Sequence, residues 1–140
     1  MKYLLDTCVI SELVRPQPNK NVTQWFRLQK ERDLYLSVLT FGEIRKGIDK
    51  AKDIIHKDKL NLWVEKDLYL RFKGRILPID LSVANKWGKT QAIAELKGLP
   101  MPTIDGLIAT TGLVHNCIVV TRNTADMQQS QVELLNPWIN

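Results

Sequence analysis

Sulfur and imidazole are scarce in this chain of 140 residues, which has two cysteines, Cys8 and Cys117, and two histidines, His56 and His115. These residues lie far apart and form no CxxC or HxxxH pair, which argues against a structural zinc site and against a disulfide framework. Long apolar runs are missing as well. No stretch approaches the ~20 residues needed to span a bilayer, and Asp6 cuts the apolar opening Tyr3-Leu4-Leu5 before a cleavage site can follow. The expectation is a cytoplasmic protein with no membrane contact and with reduced thiols. Acidic charge is the minority, with 15 Asp plus Glu against 20 Lys plus Arg, a formal net charge of +5. A basic excess suits a polyanionic partner, because Lys and Arg neutralise phosphates and release condensed counterions; a mildly basic solvated surface explains it too.

Hydrophobic residues make up 44% of the chain and are interleaved with charge throughout, which argues against disorder. A chain of this length buries roughly 68–70% of its unfolded surface, enough for one core without staples. Residues 1–140 are read as one domain. Tyr3-Leu4-Leu5, Leu34 to Val38, Arg75 to Ile79, Ile118 to Thr121 and Val132 to Leu135 read as strands. Between them lie helical patterns after Asp6, around Val22 to Leu28, after Ser37 or Thr40, from Asp53 to Phe72, from Ser82 to Leu96 and from Asp105 to Val114. Gly74, Gly98 and Pro100 punctuate them. Alternating β and α units with continuous apolar strands predict an α/β fold, a parallel sheet covered by helices on both faces. Ligands of such sheets bind beyond the carboxyl ends of the strands, where strand order reverses.

Three acids fall at that edge: Asp6 ends the first strand, Glu43 lies early in the helix after the second, and Asp105 opens the helix before the fourth. Ionised carboxylates in one cleft repel one another and call for a cation. An all-oxygen set selects a hard ion, Mg²⁺ or Mn²⁺, which polarises a phosphodiester and activates water. Each acid also has a plain structural reading. Asp105 suits the first turn of a helix, Asp6 an Asx turn, and Glu43 an ion pair with Lys46 or Lys50. Glu12 is expected to face solvent, and Asp49, Asp53, Asp58, Asp67 and Asp80 are read as surface acids. His115 reads as the end of a helix, Cys8 as a small buried residue, and Trp25, Trp63, Trp87 and Trp138 as core or interface.

Five segments in order, Asp6-Thr7-Cys8-Val9-Ile10-Ser11-Glu12-Leu13, Leu36 to Ile44, Gly74 to Pro78, Asp105 to Ala109 and Val120-Thr121-Arg122-Asn123, resemble PIN-domain ribonucleases. Within that family the chain is similar to VapC toxins of type II toxin–antitoxin systems, and to the FitB-like branch through its closing Asn136-Pro137-Trp138. The resemblance implies a PIN-like three-layer α/β/α domain with a central, mostly parallel sheet. It implies an endoribonuclease dependent on Mg²⁺ or Mn²⁺ that leaves a 5′-phosphate. Asp6 and Asp105 match the main metal ligands, and Glu43 matches the acid of the second helix, completing the ligand set or orienting the attacking water. The fourth acidic position holds Asn123, whose carbonyl can still serve, and Asp126 is the alternative; Cys8 and Met127 also depart from the family's usual residues. Thr7 and Thr121 match hydroxyls that steady the carboxylates. The implied partners are RNA, a VapB-like antitoxin whose tail enters the acidic cleft, and DNA only through that antitoxin. A homodimer, within a larger complex or alone, is also implied, for which Trp63, Leu68 and Leu70 offer an apolar surface. Arg45, Lys46, Lys86, Lys89 and Arg122 are candidates to guide the RNA backbone.

Two other readings remain open on the residues. Asn123 is compatible with a catalytically silent PIN-like module that binds RNA or an antitoxin. A phosphoryl-transfer enzyme using Asp6 as nucleophile ranks lower, because such chemistry usually places a second Asp two residues on, where Cys8 stands.

Overall fold

Strand β1 (Tyr3–Leu5) is central in a five-stranded sheet of order β3-β2-β1-β4-β5, flanked by β2 (Leu34–Ser37) and β4 (Ile118–Val120). The edges are β3 (Ile76–Leu77) and β5 (Leu134–Leu135), and all four pairings are parallel. The computed structural model describes residues 1–139. β1 aligns Leu4 with Val119 and Leu5 with Val120, so neighbouring residues point to opposite faces at the same height. Leu5 and Val120 join Leu34, Leu36, Val9 and Phe72 in one core layer. Leu4 and Val119 join Ile108, Ala109 and Met127 in the other. Each fully buried Leu or Val contributes about 1.5–3 kcal/mol, which is why strands of three residues suffice.

On the first face lie α1 (Thr7–Leu13), α2 (Lys20–Arg27) and the run α4 (Ile54–Leu62), a π-helical turn (Trp63–Leu68) and α5 (Tyr69–Phe72). Helix α3 (Val38–Asp49) follows β2 directly, and α6 (Leu81–Leu96) packs on α7 (Thr103–Val114), which covers the second face. A short α8 (Thr124–Met127) follows β4. Side-chain caps fix several starts: Ser37 Oγ accepts from Leu39 N at 3.0 Å and Asp80 Oδ1 from Val83 N at 3.0 Å. Ser37, not Thr40, is therefore the cap of α3, and α6 begins one residue before Ser82. Asp53 and Asp80, read as surface acids, are exposed and act as helix caps. Gly74, at φ +85°, turns the chain from α5 into β3. A Cβ at Gly112 would lie 2.5 Å from Val119 Cγ2, so this glycine lets α7 sit directly on β4.

The sheet is wholly parallel, a stricter arrangement than the mostly parallel one expected. Among the described residues, no helix is long and apolar enough to cross a membrane. Glu12, expected at the surface, is 6% exposed. Its carboxylate accepts from Asn19 N at 2.9 Å and pairs with Arg15 at 3.4 Å, closing the turn between α1 and α2. The Asn19 N–H holds its pKa below the usual carboxylate range. Leu68 is buried and Trp63 packs against the core; of the surface expected for dimerisation only Leu70 remains exposed.

Candidate active site

The chain lays β1, β2 and β3 outward on one side and returns to lay β4 and β5 on the other. The reversal falls between β1 and β4, and the residues that follow these two strands are Asp6 and Thr121. Asp6 N donates to Val120 O at 2.9 Å, extending the ladder by one residue before α1 begins. Asp6 is 3% exposed. Its Oδ1 accepts from Thr7 N at 2.8 Å, which makes it the cap of α1, and its Oδ2 accepts from Thr121 Oγ1 at 2.7 Å. The capping role and the site role are thus the same geometry. With both oxygens engaged and the side chain buried, Asp6 is poorly placed as a nucleophile.

Glu43 sits in the second turn of α3. Its Oε1 accepts from Thr7 Oγ1 at 2.6 Å, and among the described residues it joins no ion pair with Lys46 or Lys50. Asp105 lies in the first turn of α7, where the cap residue Pro102 offers no side-chain hydrogen bond. The helix dipole favours an acid there, yet its carboxyl is pushed up to about 6 by burial and then by the charges of Asp6, Asp126 and Glu43. All three expected acids therefore share one electrostatic neighbourhood. Asp126, in the first turn of α8, belongs to it too. Asn123 is exposed, and its backbone N–H donates to Thr121 Oγ1 at 2.9 Å. Thr121 thus ties the turn after β4 to Asp6.

Cys8 Sγ lies 3.6 Å from Asp6 Oδ2, and its thiol is pushed up to about 11 by burial and by Asp6. It is half-buried and inert as a nucleophile. His115 caps the carboxyl end of α7. Arg45 hydrogen-bonds to Asn61 and to Glu65 at 3.3 Å, so it ties α3 to the α4 segment. Lys46, Lys86, Lys89 and Arg122 are exposed. The Arg122 guanidinium stacks 5.0 Å from the Trp138 ring, which holds it beside Thr121. A cavity of about 350 Å³ leads away from Thr7 and Glu43 between α1, α3 and α4, toward Ile48, His56 and Trp63.

The donor chemistry fits a hard divalent cation, since the four acids offer only oxygen and leave Asp105 facing uncompensated negative charge. Among the described residues no three of His, Cys, Asp and Glu close on a single point. Mg²⁺ is commonly held in this way, by one or two carboxylates with water and substrate phosphate filling the remaining positions. Sequence reasoning missed Thr40, whose fully buried hydroxyl lies 3.2 Å from that of Thr7. The available signal was its place three residues before Glu43, on the same face of α3.

The family model described as the PIN domain matches residues 3–131. The toxin FitB of Neisseria gonorrhoeae is 37% identical over 140 residues, covering 96% of this chain and 97% of FitB. The VapC ribonuclease Y4jK of Sinorhizobium fredii is 32% identical over 135 residues, covering 96% of each. The solved structure of FitAB bound to an IR36 DNA fragment superposes with a TM-score of 0.93 at 37% identity, covering 99% of this chain and 96% of that one. With the fold, the edge at which its acids gather and these matches in agreement, the chain belongs to the PIN-domain family and, within it, to the VapC/FitB-type toxins.

Proposed function

We infer that this protein is the ribonuclease toxin of a toxin–antitoxin pair, a metal-dependent endoribonuclease that works at the acidic edge of its sheet. The observation that carries this reading is the environment of Asp105, a carboxyl raised to about 6 by burial and by three acids: Asp6, which caps α1, Glu43 of α3 and Asp126 of α8. A protein has no structural need for such a concentration of like charge, whereas a site for a divalent cation does.

In this reading Asp6 and Asp105 hold Mg²⁺ or Mn²⁺. The cation supplies Lewis-acid polarisation of the scissile phosphodiester and a water nucleophile at neutral pH. Thr121 and Thr7 fix the two oxygens of Asp6, so it meets its ligand without reorganising. Glu43, with Oε1 taken by Thr7, uses its other oxygen to orient the attacking water and accept its proton. Attack at phosphorus breaks the bond to the 3′ oxygen, leaving a 5′-phosphate on one fragment and a 3′-hydroxyl on the other. Lys46, Lys86, Lys89 and Arg122 hold the RNA backbone near the cleft, Arg122 already oriented by Trp138. Asp126 serves the fourth acidic position in place of Asn123, supported by its charge acting on Asp105.

The partner is an antitoxin whose basic tail enters the cleft and competes for the carboxylates. The FitAB structure is bound to DNA, and DNA contact by this chain's complex is assigned to the antitoxin. Purified protein, freed of any partner, is expected to cleave total RNA with Mg²⁺ or Mn²⁺ and to stop in chelator, and Asp6→Ala is expected to abolish cleavage. Wild-type protein with no metal-dependent cleavage would leave the silent binding module as the better account.

A further inference from the structure

We propose that Gln91 of α6 is a positioning residue for Asp105: its buried amide clamps Met101, just ahead of α7, and so sets where the Asp105 carboxylate meets a divalent cation. The proposal rests on the ribonuclease reading of the same site. The acids of that site are held in two different ways. Asp6 has both carboxylate oxygens hydrogen-bonded, and Glu43 has one. Among the described residues nothing donates a hydrogen bond to the carboxylate of Asp105. Its place therefore depends on where the first turn of α7 is put.

That turn lacks the local device used elsewhere in the chain. Helices α1, α2, α3, α4 and α6 each begin with a side-chain cap, from Asp6, Asn19, Ser37, Asp53 and Asp80, whereas the cap position of α7, Pro102, supplies none. Gln91 anchors the turn from another helix. Its Nε2 donates to Met101 O at 2.9 Å and its Oε1 accepts from Met101 N at 3.1 Å, a paired contact that fixes the orientation of the peptide as well as its position. Gln91 and Met101 are both buried, so water does not compete for these bonds. Pro100 and Pro102 flank Met101; their rings restrict φ and they carry no N–H, so the approach to α7 is stiff and Met101 holds its one backbone donor. A second contact comes from Trp87, one turn earlier on the same face of α6. It packs on Gly106, where a Cβ would lie 3.2 Å from the indole Nε1. Asp105 is thus bracketed by Met101 and Gly106, both seated on α6. A serine or aspartate in place of Pro102 would cap α7 locally, so stability alone does not call for a buried glutamine on a different helix.

The test is titration of Mn²⁺ alone into the full chain by calorimetry and by loss of the free-ion electron paramagnetic resonance signal, together with kcat and KM on an RNA oligonucleotide, well below every melting temperature. Gln91→Met keeps the length of the side chain but removes both hydrogen bonds. It is expected to weaken Mn²⁺ binding by about 10–100-fold and to lower kcat more than it raises KM, since the exposed lysines and Arg122 are untouched. Thr90→Val removes the neighbouring α6 bond from Thr90 Oγ1 to Lys86 O, 2.7 Å long. It is expected to lower the melting temperature in chelator while Mn²⁺ affinity and kcat stay at the wild-type values, which separates a loosened α6 from a displaced Asp105. Gly106→Ala places a Cβ against Trp87 and 3.5 Å from Met101 Cβ, and alanine is the better helix former. It is expected to weaken Mn²⁺ binding by a smaller factor, and it carries the test should Gln91→Met fold poorly. In the Gln91→Met/Asp105→Asn double variant the two losses are expected not to add, as they act through one carboxylate. Wild-type Mn²⁺ affinity in Gln91→Met, or in Gly106→Ala if that variant alone folds, overturns the proposal while leaving the ribonuclease reading intact. Fully additive losses, or an equal loss in Thr90→Val, overturn it as well. Absence of Mn²⁺ binding and of RNA cleavage in the wild type overturns both.

Discussion

At the carboxyl end of the sheet, Asp105 faces Asp6, Asp126 and Glu43, and among the described residues none of the four joins a salt bridge. At the amino end of β2 and β3 a single acid, Glu31, is clasped by two arginines. Arg71 meets its carboxylate with Nε at 2.6 Å and with a second nitrogen at 3.0 Å, and Arg75 adds a contact at 3.4 Å. Arg75 also donates to Leu34 O at 2.6 Å and stacks 4.9 Å from the Phe72 ring. The Arg71 hydrogen bond holds the Glu31 carboxyl below its usual range, and burial pushes Asp105 above its own. One end of the sheet neutralises its charge within the chain. The other leaves charge to be neutralised from outside, a destabilising arrangement that suits a site for a cation and an anionic substrate.

The largest effects belong to the carboxyl end. Asp105→Asn is expected to reduce RNA cleavage by at least about 10²–10³-fold, the scale of losing one electrostatic contact at a reaction centre, and yet to raise the melting temperature in chelator at pH 7. A fall in both would show that Asp105 is mainly structural and would erase the contrast between the two ends. Next in size is the response to metal. Mg²⁺ or Mn²⁺ at 100 times its dissociation constant is expected to stabilise the folded wild type by about 2.7 kcal/mol, read as a higher melting temperature, with little response in Asp105→Asn.

The two ends also respond oppositely to pH. Because the folded pKa of Asp105 is raised to about 6 from 3.8, its contribution to stability is present below about pH 4 and is lost as pH rises through 6. In chelator, the stability advantage of Asp105→Asn over wild type is therefore expected to grow between pH 4 and 7. Glu31 has a lowered folded pKa relative to 4.5, so its contribution is present above that value and is lost as pH falls through the folded one. Denaturant melts of Asp105→Asn and of Glu31→Gln across this range check the two signs. Smallest is Glu31→Gln itself, expected to cost about 0.5–1 kcal/mol at pH 7 because the pairs are partly exposed and screened, with RNA cleavage unchanged.

Much of this contrast could be read along the chain, and some could not. Asp6, Glu43 and Asp105 were legible because each follows or opens an element whose apolar pattern is unambiguous, and a parallel sheet puts such positions at one edge. Glu12 was misread because its partner, Asn19 N, lies across a turn whose path sequence spacing does not give. The partners of Arg45 were illegible for the same kind of reason: Asn61 and Glu65 meet it only once the α4 segment folds back on α3. Trp63 and Leu68 lie in a π-helical stretch, a change of register to which a search for 3.6-residue periodicity is blind.

The sequence by itself determined the alternation of strands and helices, the all-oxygen character of the candidate site and the acids that form it, since these follow from local hydrophobic pattern and residue chemistry. Only the tertiary structure decided which acid each hydroxyl holds, which arginines are already engaged, and that the two charged clusters lie at opposite ends of one sheet. Those outcomes depend on contacts between residues distant in the chain, such as Thr7 with Glu43, Thr121 with Asp6 and Arg75 with Glu31. Such contacts exist only once burial of the two core layers has brought their elements together.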